Sequence, residues 1–497
     1  MRHLPFALLA LGLAACPRTT GEGTEPGDCT DRADNDGDGL FDCEDEGCAG
    51  SPDCEEADTD TDTDTDTDTD TDGDTDADGD TDGDTDGDTD ADADTDTDVV
   101  GDCVVAADGA GDSATVQGCI DAASDGWVIV VEPGTYTENL DFDGRSVTVQ
   151  SRAGAASTTL DAGGVGSIAH LTQDEEVVLR GFTLVGGYGS SSGSLTFSGG
   201  VAFVEGGNLT LQEVRSNGND VQGSGGVVYL LDGEVALLDS TFAGNRATSG
   251  AVLMARQGTE ATISGCTFEG NAVHDTGNGG ALAIYAADVN VTDCSFSGNN
   301  AAYGDAISFW PQGGEDLLIS RSTFTGHPGE TLYAGLGSSY VGDLEVTNSI
   351  FSGEEIPLMV QGPRVALIND IFLGGTGTVV WNSGSNVEIL NSIVFATDPG
   401  SCLTYGPLTA RYSLFMGNAG SWCEGHEPTT ADGNVFEDPA FVAWYDDTDP
   451  TNDDLHLQAG SPAVDAGSSS ATYNDLDGTR NDMGAFGGPQ GGWTPRW

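Results

Sequence analysis

The chain has 497 residues, 84 acidic and 14 basic, for a formal charge of -70. That charge argues against nucleic acid, whose binding rests on cations that neutralise phosphate, and against an anionic membrane face as a direct partner. All 14 basic residues are arginine, so Schiff-base chemistry and a lysine general base are excluded.

In chain order, Arg2 and His3 give a weakly basic start, and Leu4 to Leu13 form a short apolar run of the kind found in export signals. Leu13-Ala14-Ala15-Cys16 is similar to the bacterial lipobox. The resemblance implies removal of residues 1–15 and a diacylglyceryl group on Cys16. An ordinary signal peptide ending near a cysteine is the alternative. No later stretch approaches 18 apolar residues, so no membrane-spanning helix is expected and lipid would hold the chain. The expected location is the outer membrane of a Gram-negative bacterium, with the chain exposed at the cell surface.

Residues 16–56 read as a small acidic module. Asp34, Asp36, Asp38, Asp42 and Asp45 occupy positions 1, 3, 5, 9 and 12 of a loop whose sixth residue is Gly39. Oxygen ligands so spaced can wrap one Ca²⁺. Cysteines rather than helical patterns flank the loop, and the segment resembles a thrombospondin type 3 repeat. The alternative is an Asp/Gly-rich tract that only imitates such a loop. Residues 57–98 carry Asp at every even position from 58 to 98, 21 in all, separated by Thr, Gly or Ala. With nothing larger than Ala to bury and like charges throughout, this segment reads as a disordered, extended tether.

Residues 99–497 carry a repeat. Thr241-Phe242-Ala243-Gly244-Asn245 returns at Thr267–Asn271 and at Ser295–Asn299, with weaker copies at Phe324, Phe351, Phe372, Val394 and Phe415. Phenylalanine spacings of 26, 28, 28, 27 and 21 residues indicate a solenoid with coils of unequal loops. Short apolar runs such as Val147–Val149, Leu282–Ile284 and Leu317–Ile319 have strand length. The phenylalanines are expected to point inward, Asn245, Asn271 and Asn299 to stack in one column, and Asn348, Asn369 and Asn391 in a second. Ala114–Gly126 reads as a short amphipathic capping helix, followed by a first strand opening at Trp127 and a turn at Pro133-Gly134. This opening resembles the N-terminal cap of pectin-lyase-like right-handed parallel β-helix proteins. The F-x-x-N phrases, joined to the Gly-Ala phrase at Gly250 and the Gly-Gly-Ala phrase at Gly280, resemble polymorphic outer-membrane protein repeats. Asp438 to Phe486 is similar to the closing segment of bacterial β-helix surface proteins with variable C-terminal anchors, and here the lipid at Cys16 would take the anchor's role. The resemblance implies an all-β, right-handed parallel β-helix of about a dozen coils.

If Cys16 is lipidated, ten cysteines remain, an even number suited to an oxidising compartment. They fall into local groups: Cys29, Cys43, Cys48 and Cys54; Cys103 and Cys119; Cys266 and Cys294; Cys402 and Cys423. Cys266 and Cys294 share a slot two residues before the repeat phenylalanine, so a disulfide between adjacent coils is expected there.

The repeat residues are all accounted for by structure, and no catalytic residue is assigned. The Asn-Thr-Asp, Gly-His-Gly and Arg-Ile-Lys phrases of polygalacturonase-like hydrolases do not occur. Arg246, Arg256 and Arg321 are the arginines to weigh as a lyase base, but no Asp constellation accompanies them in sequence. Trp310, Tyr333 and Tyr340 are expected in loops between coils, stacking on sugars or packing on the coil. The expected function is a non-catalytic adhesion scaffold that binds an extracellular or envelope polysaccharide or protein partner. The alternatives are a polysaccharide lyase or glycoside hydrolase with a divergent site, and a Ca²⁺-held component of a surface coat.

Overall fold

The structure is a computed structural model that describes residues 101–192, 195–335, 342–374, 378–395, 404–405, 408–417, 429–445 and 449–497. The chain divides near Ala93, and the described residues all lie in the second unit, Asp94–Trp497. The lipidation site Cys16, the loop Asp34 to Asp45, the cysteines Cys29, Cys43, Cys48 and Cys54, the tether, and Cys402 with Cys423 lie outside them. No helix among the described residues is long and apolar enough to cross a membrane.

The fold is a parallel β-helix. Each coil contributes one strand to each of three sheets, of 13, 12 and 11 strands. Val128–Val131, Val147–Val149 and Val177–Leu179 lie in the first sheet, the phenylalanine repeats in the second, and Leu282–Tyr285 and Ile307–Trp310 in the third. The solenoid begins one strand earlier than the sequence suggests, because Cys103–Val105 pairs in parallel with Ile129–Val131. The helix Val116–Ala122 follows, N-capped by Thr115, and buries Val116, Cys119 and Ile120 against the core. Cys103 and Cys119 form a disulfide with a Cα separation of 5.9 Å that ties helix to first strand.

Alternation within each strand sends every second side chain into the lumen. Phe242, Phe268, Phe296, Phe324, Phe351 and Phe372 stack there with near-parallel rings 4.5–5.3 Å apart. The glycine after each of the first three turns the chain at positive φ (Gly244 60°, Gly270 58°, Gly298 56°), where a Cβ is strained. The Gly-Gly-Ala phrase has a different cause: a Cβ on Gly280 would collide with the carbonyl oxygen of Asp305 in the next coil.

Two residues before each phenylalanine runs a column in which a side chain accepts the backbone N–H of the coil before it. Cys294 takes Cys266 N–H at 3.4 Å, Ser322 takes Cys294 at 3.2 Å, Ser349 takes Ser322 at 3.2 Å, and Asp370 takes Ser349 at 2.9 Å. The expected Cys266–Cys294 disulfide is therefore corrected. The register is the one expected, but both residues are buried thiols. In an in-register parallel ladder the two Cβ atoms stand about one strand spacing, ~4.8 Å, apart, with parallel rather than converging bonds. Each sulfur instead serves the ladder as serine does, Cys266 Sγ donating to Leu237 O at 3.3 Å and Cys294 Sγ to Thr292 O at 3.2 Å. Burial pushes the Cys294 thiol well up.

Asp370 is the exception in this column. It is fully buried, burial raises its carboxyl well above the usual range, and Oδ2 has no hydrogen-bond partner among the described residues. Ser349 and Ser392 occupy the same slot in adjacent coils. Asp370→Ser is thus expected to stabilise the fold by about 1–3 kcal/mol, the cost of an unsatisfied buried polar group. A lower urea midpoint for the variant would contradict this.

The C-terminal segment runs back along the solenoid. Outward positions of the second sheet change from Thr241, Thr267, Ser295 and Thr323 to Ile350, Ile371, Ile393 and Leu414. The second group forms a separate core with Phe441, Leu455, Ala463, Met483 and Ala485. Part of the expected column forms, Asn391 Nδ2 donating to Asn369 Oδ1 at 3.3 Å, and Asn348, Asn369 and Asn391, all at positive φ, also bond to this segment. Asn348 Nδ2 donates to Ala485 O (2.9 Å) and Gly487 O (2.7 Å), and Asn391 Oδ1 accepts Ser468 N–H (2.7 Å). Arg496 reaches as far as Gly265 O, at 2.8 Å.

Candidate functional site

The turns between second and third sheets carry two polar features. The first is buried. Three residues after each repeat phenylalanine, Asn245 Nδ2 donates to Asn271 Oδ1 (3.1 Å) and Asn271 Nδ2 to Asn299 Oδ1 (3.0 Å). Asn219 precedes them, donating to Asn245 Oδ1 at 3.1 Å. The column continues with different residues. Asn299 Nδ2 meets His327 Nε2 at 3.4 Å, and His327 Nδ1 meets Glu354 Oε1 at 3.1 Å. Because the asparagine amide can only donate, Nε2 accepts and Nδ1–H donates, so the ladder fixes the imidazole tautomer. Thr331 donates its hydroxyl to Glu354 Oε2. The side chains of His327 and Glu354 are both 0% exposed, which makes this a structural pair rather than a reactive one.

Asp305 stands next to this column and is also buried. Its carboxylate accepts the N–H groups of Ala301 (2.6 Å) and Gly329 (2.5 Å), yet burial outweighs them and raises it from 3.8 to about 6. The folded state therefore holds the proton more tightly than the unfolded chain. Asp305 contributes stability below pH ~4 that is lost as pH rises to about 6, on the order of 2–3 kcal/mol. Asp305→Asn is expected to remove that part of the pH dependence. Comparing denaturant midpoints of both proteins at pH 4 and pH 7 checks it, and parallel pH profiles would contradict it.

The second feature is an open pocket of about 520 Å³ lined by Gln222, Arg246, Ser249, His274, Asp275 and Asn278, among others. Arg246–Ala247 pairs with Ala272–Val273, and Asp220 bridges to Arg246, so three consecutive coils meet here. His274 spans the intervening coil: its Nε2 lies 2.9 Å from Asp220 Oδ1 and 3.3 Å from Val221 O. Both partners accept, so Nε2 carries the proton and the second ring nitrogen, Nδ1, is left uncommitted. Arg246 is exposed and its guanidinium has no partner among the described residues. Arg321, by contrast, forms a two-pronged pair with Asp293 (2.8 Å each), and Arg256 lies over the Tyr285 ring.

Asn278 joins this pocket to an aromatic wall. Its Nδ2 donates to the Tyr285 hydroxyl at 2.7 Å, and its backbone lies in register with Tyr303. Tyr285 stacks on Trp310 (5.4 Å), Trp310 leans on Tyr333 (5.3 Å), and Tyr333 on Tyr303 (5.1 Å). Trp310 and Tyr333 were expected in loops, but both lie on strands of the third sheet, Ile307–Trp310 and Glu330–Ala334, facing outward. Their neighbours Phe309 and Leu332 take the inward positions. Most of these ring faces are occupied by each other. Tyr303, 45% exposed and tilted 57° to Tyr333, keeps an open face. Tyr340 lies outside the described residues, as does Asp446-Asp447, one of the two adjacent aspartate pairs, with Asp453-Asp454, among which a glycosidase's carboxylates would be sought. Asp453 and Asp454 are described, and Asp454 pairs with His456 at 2.7 Å. Asp220, Ser249 and His274 were not singled out from the sequence. The signal available was the coil length: Asp220 lies one 26-residue step before Arg246, and His274 28 residues after it.

No protein-family model matches the chain, and no curated protein is similar to it. Among solved structures it is similar to pectate lyase Pel9A, with 14% identity over 75% of this chain and 90% of that one, at a TM-score of 0.34. This is a likeness of fold alone.

Proposed function

We propose that the chain is a surface-displayed lipoprotein whose β-helix binds an extracellular or envelope glycan or protein partner without catalysis. The observation that carries this reading is the turn pocket, a concave site on paired coils that presents an arginine with no partner among the described residues, an amide and a hydroxyl, with a half-exposed tyrosine on the adjacent coil. Lipid at Cys16 would anchor the chain, the acidic tether would extend the solenoid outward, and the loop Asp34 to Asp45 would take Ca²⁺. Proteinase treatment of intact cells tests display: release of the solenoid is expected, and full protection would refute it. Calorimetry of the full chain with Ca²⁺ tests the loop. Loss of binding in Asp36→Ala/Asp38→Ala is expected, and unchanged binding would remove the assignment.

One observation favours a second reading, a polysaccharide lyase or hydrolase. Asp220 orients His274 so that Nδ1 is uncommitted, the arrangement a general base requires. The full chain is assayed for reducing-end release from neutral and acidic polysaccharides. Release that disappears in His274→Ala would establish the enzyme and overturn the non-catalytic reading.

A further inference from the structure

We propose that the pocket of Gln222, Arg246, Ser249, His274, Asp275 and Asn278, with Tyr303 on the coil next to Asn278, binds a neutral polysaccharide. This rests on the glycan-binding reading above and assigns it a place and a ligand class.

Size comes first. A volume of about 520 Å³ lies within the range of small-ligand sites, large enough for a short run of sugar residues. The chemistry is that of hydroxyl recognition. A sugar hydroxyl both donates and accepts, and the pocket supplies both roles at fixed positions. Arg246 offers N–H groups that no acceptor among the described residues uses, His274 Nδ1 offers a lone pair, and Ser249 and Gln222 offer either role. Two of the walls are held in place. His274 is pinned through Nε2 to Asp220 and Val221, and Asn278 is pinned to Tyr285. Such prior ordering lowers the entropy cost of binding. Tyr303, on the next coil in register with Asn278, adds a half-exposed ring on which the apolar face of a pyranose can lie.

Charge selects the ligand class. Residues 99–497 hold 49 acidic and 11 basic residues, 49 - 11, a net of -38. Asp220 and Asp275 outnumber Arg246 at the pocket itself. A polyuronate would approach against this field, whereas a neutral chain would not. A polymer could also run along the solenoid axis, since the turns recur at each coil.

The test is calorimetric titration of the full chain with cellohexaose, xylohexaose and mannohexaose, beside hexagalacturonate, at physiological salt. Binding of at least one neutral oligosaccharide is expected. It should weaken about tenfold or more in Arg246→Ala and in Tyr303→Ala, with unchanged melting temperature, and stay the same in Arg364→Ala on the first sheet. Preference for hexagalacturonate, weakened by the same variants, would overturn the ligand class and keep the pocket. Neutral binding indifferent to both variants would overturn the pocket and keep the glycan-binding reading. No binding of any of the four would overturn this proposal. If the chain also failed to bind intact envelope polysaccharide, the glycan-binding reading would fall with it and a protein partner would remain.

Discussion

Phe296→Ala is expected to lower the unfolding free energy by about 3–5 kcal/mol, the range for removing a fully buried aromatic ring. Phe296 is 0% exposed and lies between Phe268, at 4.5 Å, and Phe324, at 4.9 Å. Its loss leaves a cavity in the lumen and interrupts the stack near its middle, and a coil in a solenoid touches only its neighbours. The unfolding transition should therefore also broaden or split, as the coils on either side lose their mutual support. Ser297, the next residue, points outward, and Ser297→Ala should stay within about 0.5 kcal/mol of wild type. Urea unfolding followed by tryptophan fluorescence and by circular dichroism reads both. An unsplit transition with a loss below about 1 kcal/mol would show that the phenylalanine column does not carry the coils.

His327→Ala is expected to cost a similar amount, about 3–5 kcal/mol, for a different reason. The deletion takes one hydrogen-bond donor from the buried Glu354 carboxylate and the acceptor from the Asn299 amide. Glu354 would keep only the Thr331 hydroxyl and a 3.5 Å contact from the His327 backbone N–H. His327→Asn is expected to stay within about 1 kcal/mol of wild type, because an asparagine in this slot can accept from Asn299 and donate to Glu354 as the ladder does elsewhere. The pair of variants separates lost packing from lost hydrogen bonding. If Asn destabilised as much as Ala, the imidazole's shape rather than its place in the ladder would matter.

The candidate site was less legible than the fold. The F-x-x-N phrase made the asparagine column visible where the letters repeat, but its continuation through His327 and Glu354 does not repeat them. Counting three residues on from Phe324 and Phe351 finds both. Chemically, the slot asks only for a side chain that passes a hydrogen bond to the next coil, and several residue types do so. The pocket had no such phrase. Asp220, Arg246 and His274 sit on turns of unequal length, where a shift of one residue turns a side chain to the other face. Likewise the cysteine pair: the shared slot was readable, while the choice between thiol and disulfide rests on the direction of the Cβ bonds.

By itself the sequence determined the solenoid, its inward phenylalanine column and the approximate coil length. Each of these follows from a local period, and a period repeats its own evidence in every coil. Tertiary structure decided what depends on stacking one coil upon another. It brought Asp220 to His274 across an intervening coil and seated the C-terminal segment against Ile350, Ile371, Ile393 and Leu414. It also left Arg246 without a carboxylate among the described residues. Residues 26 to more than 200 positions apart become neighbours only when register is set, and register is a property of the packed coils rather than of any one of them.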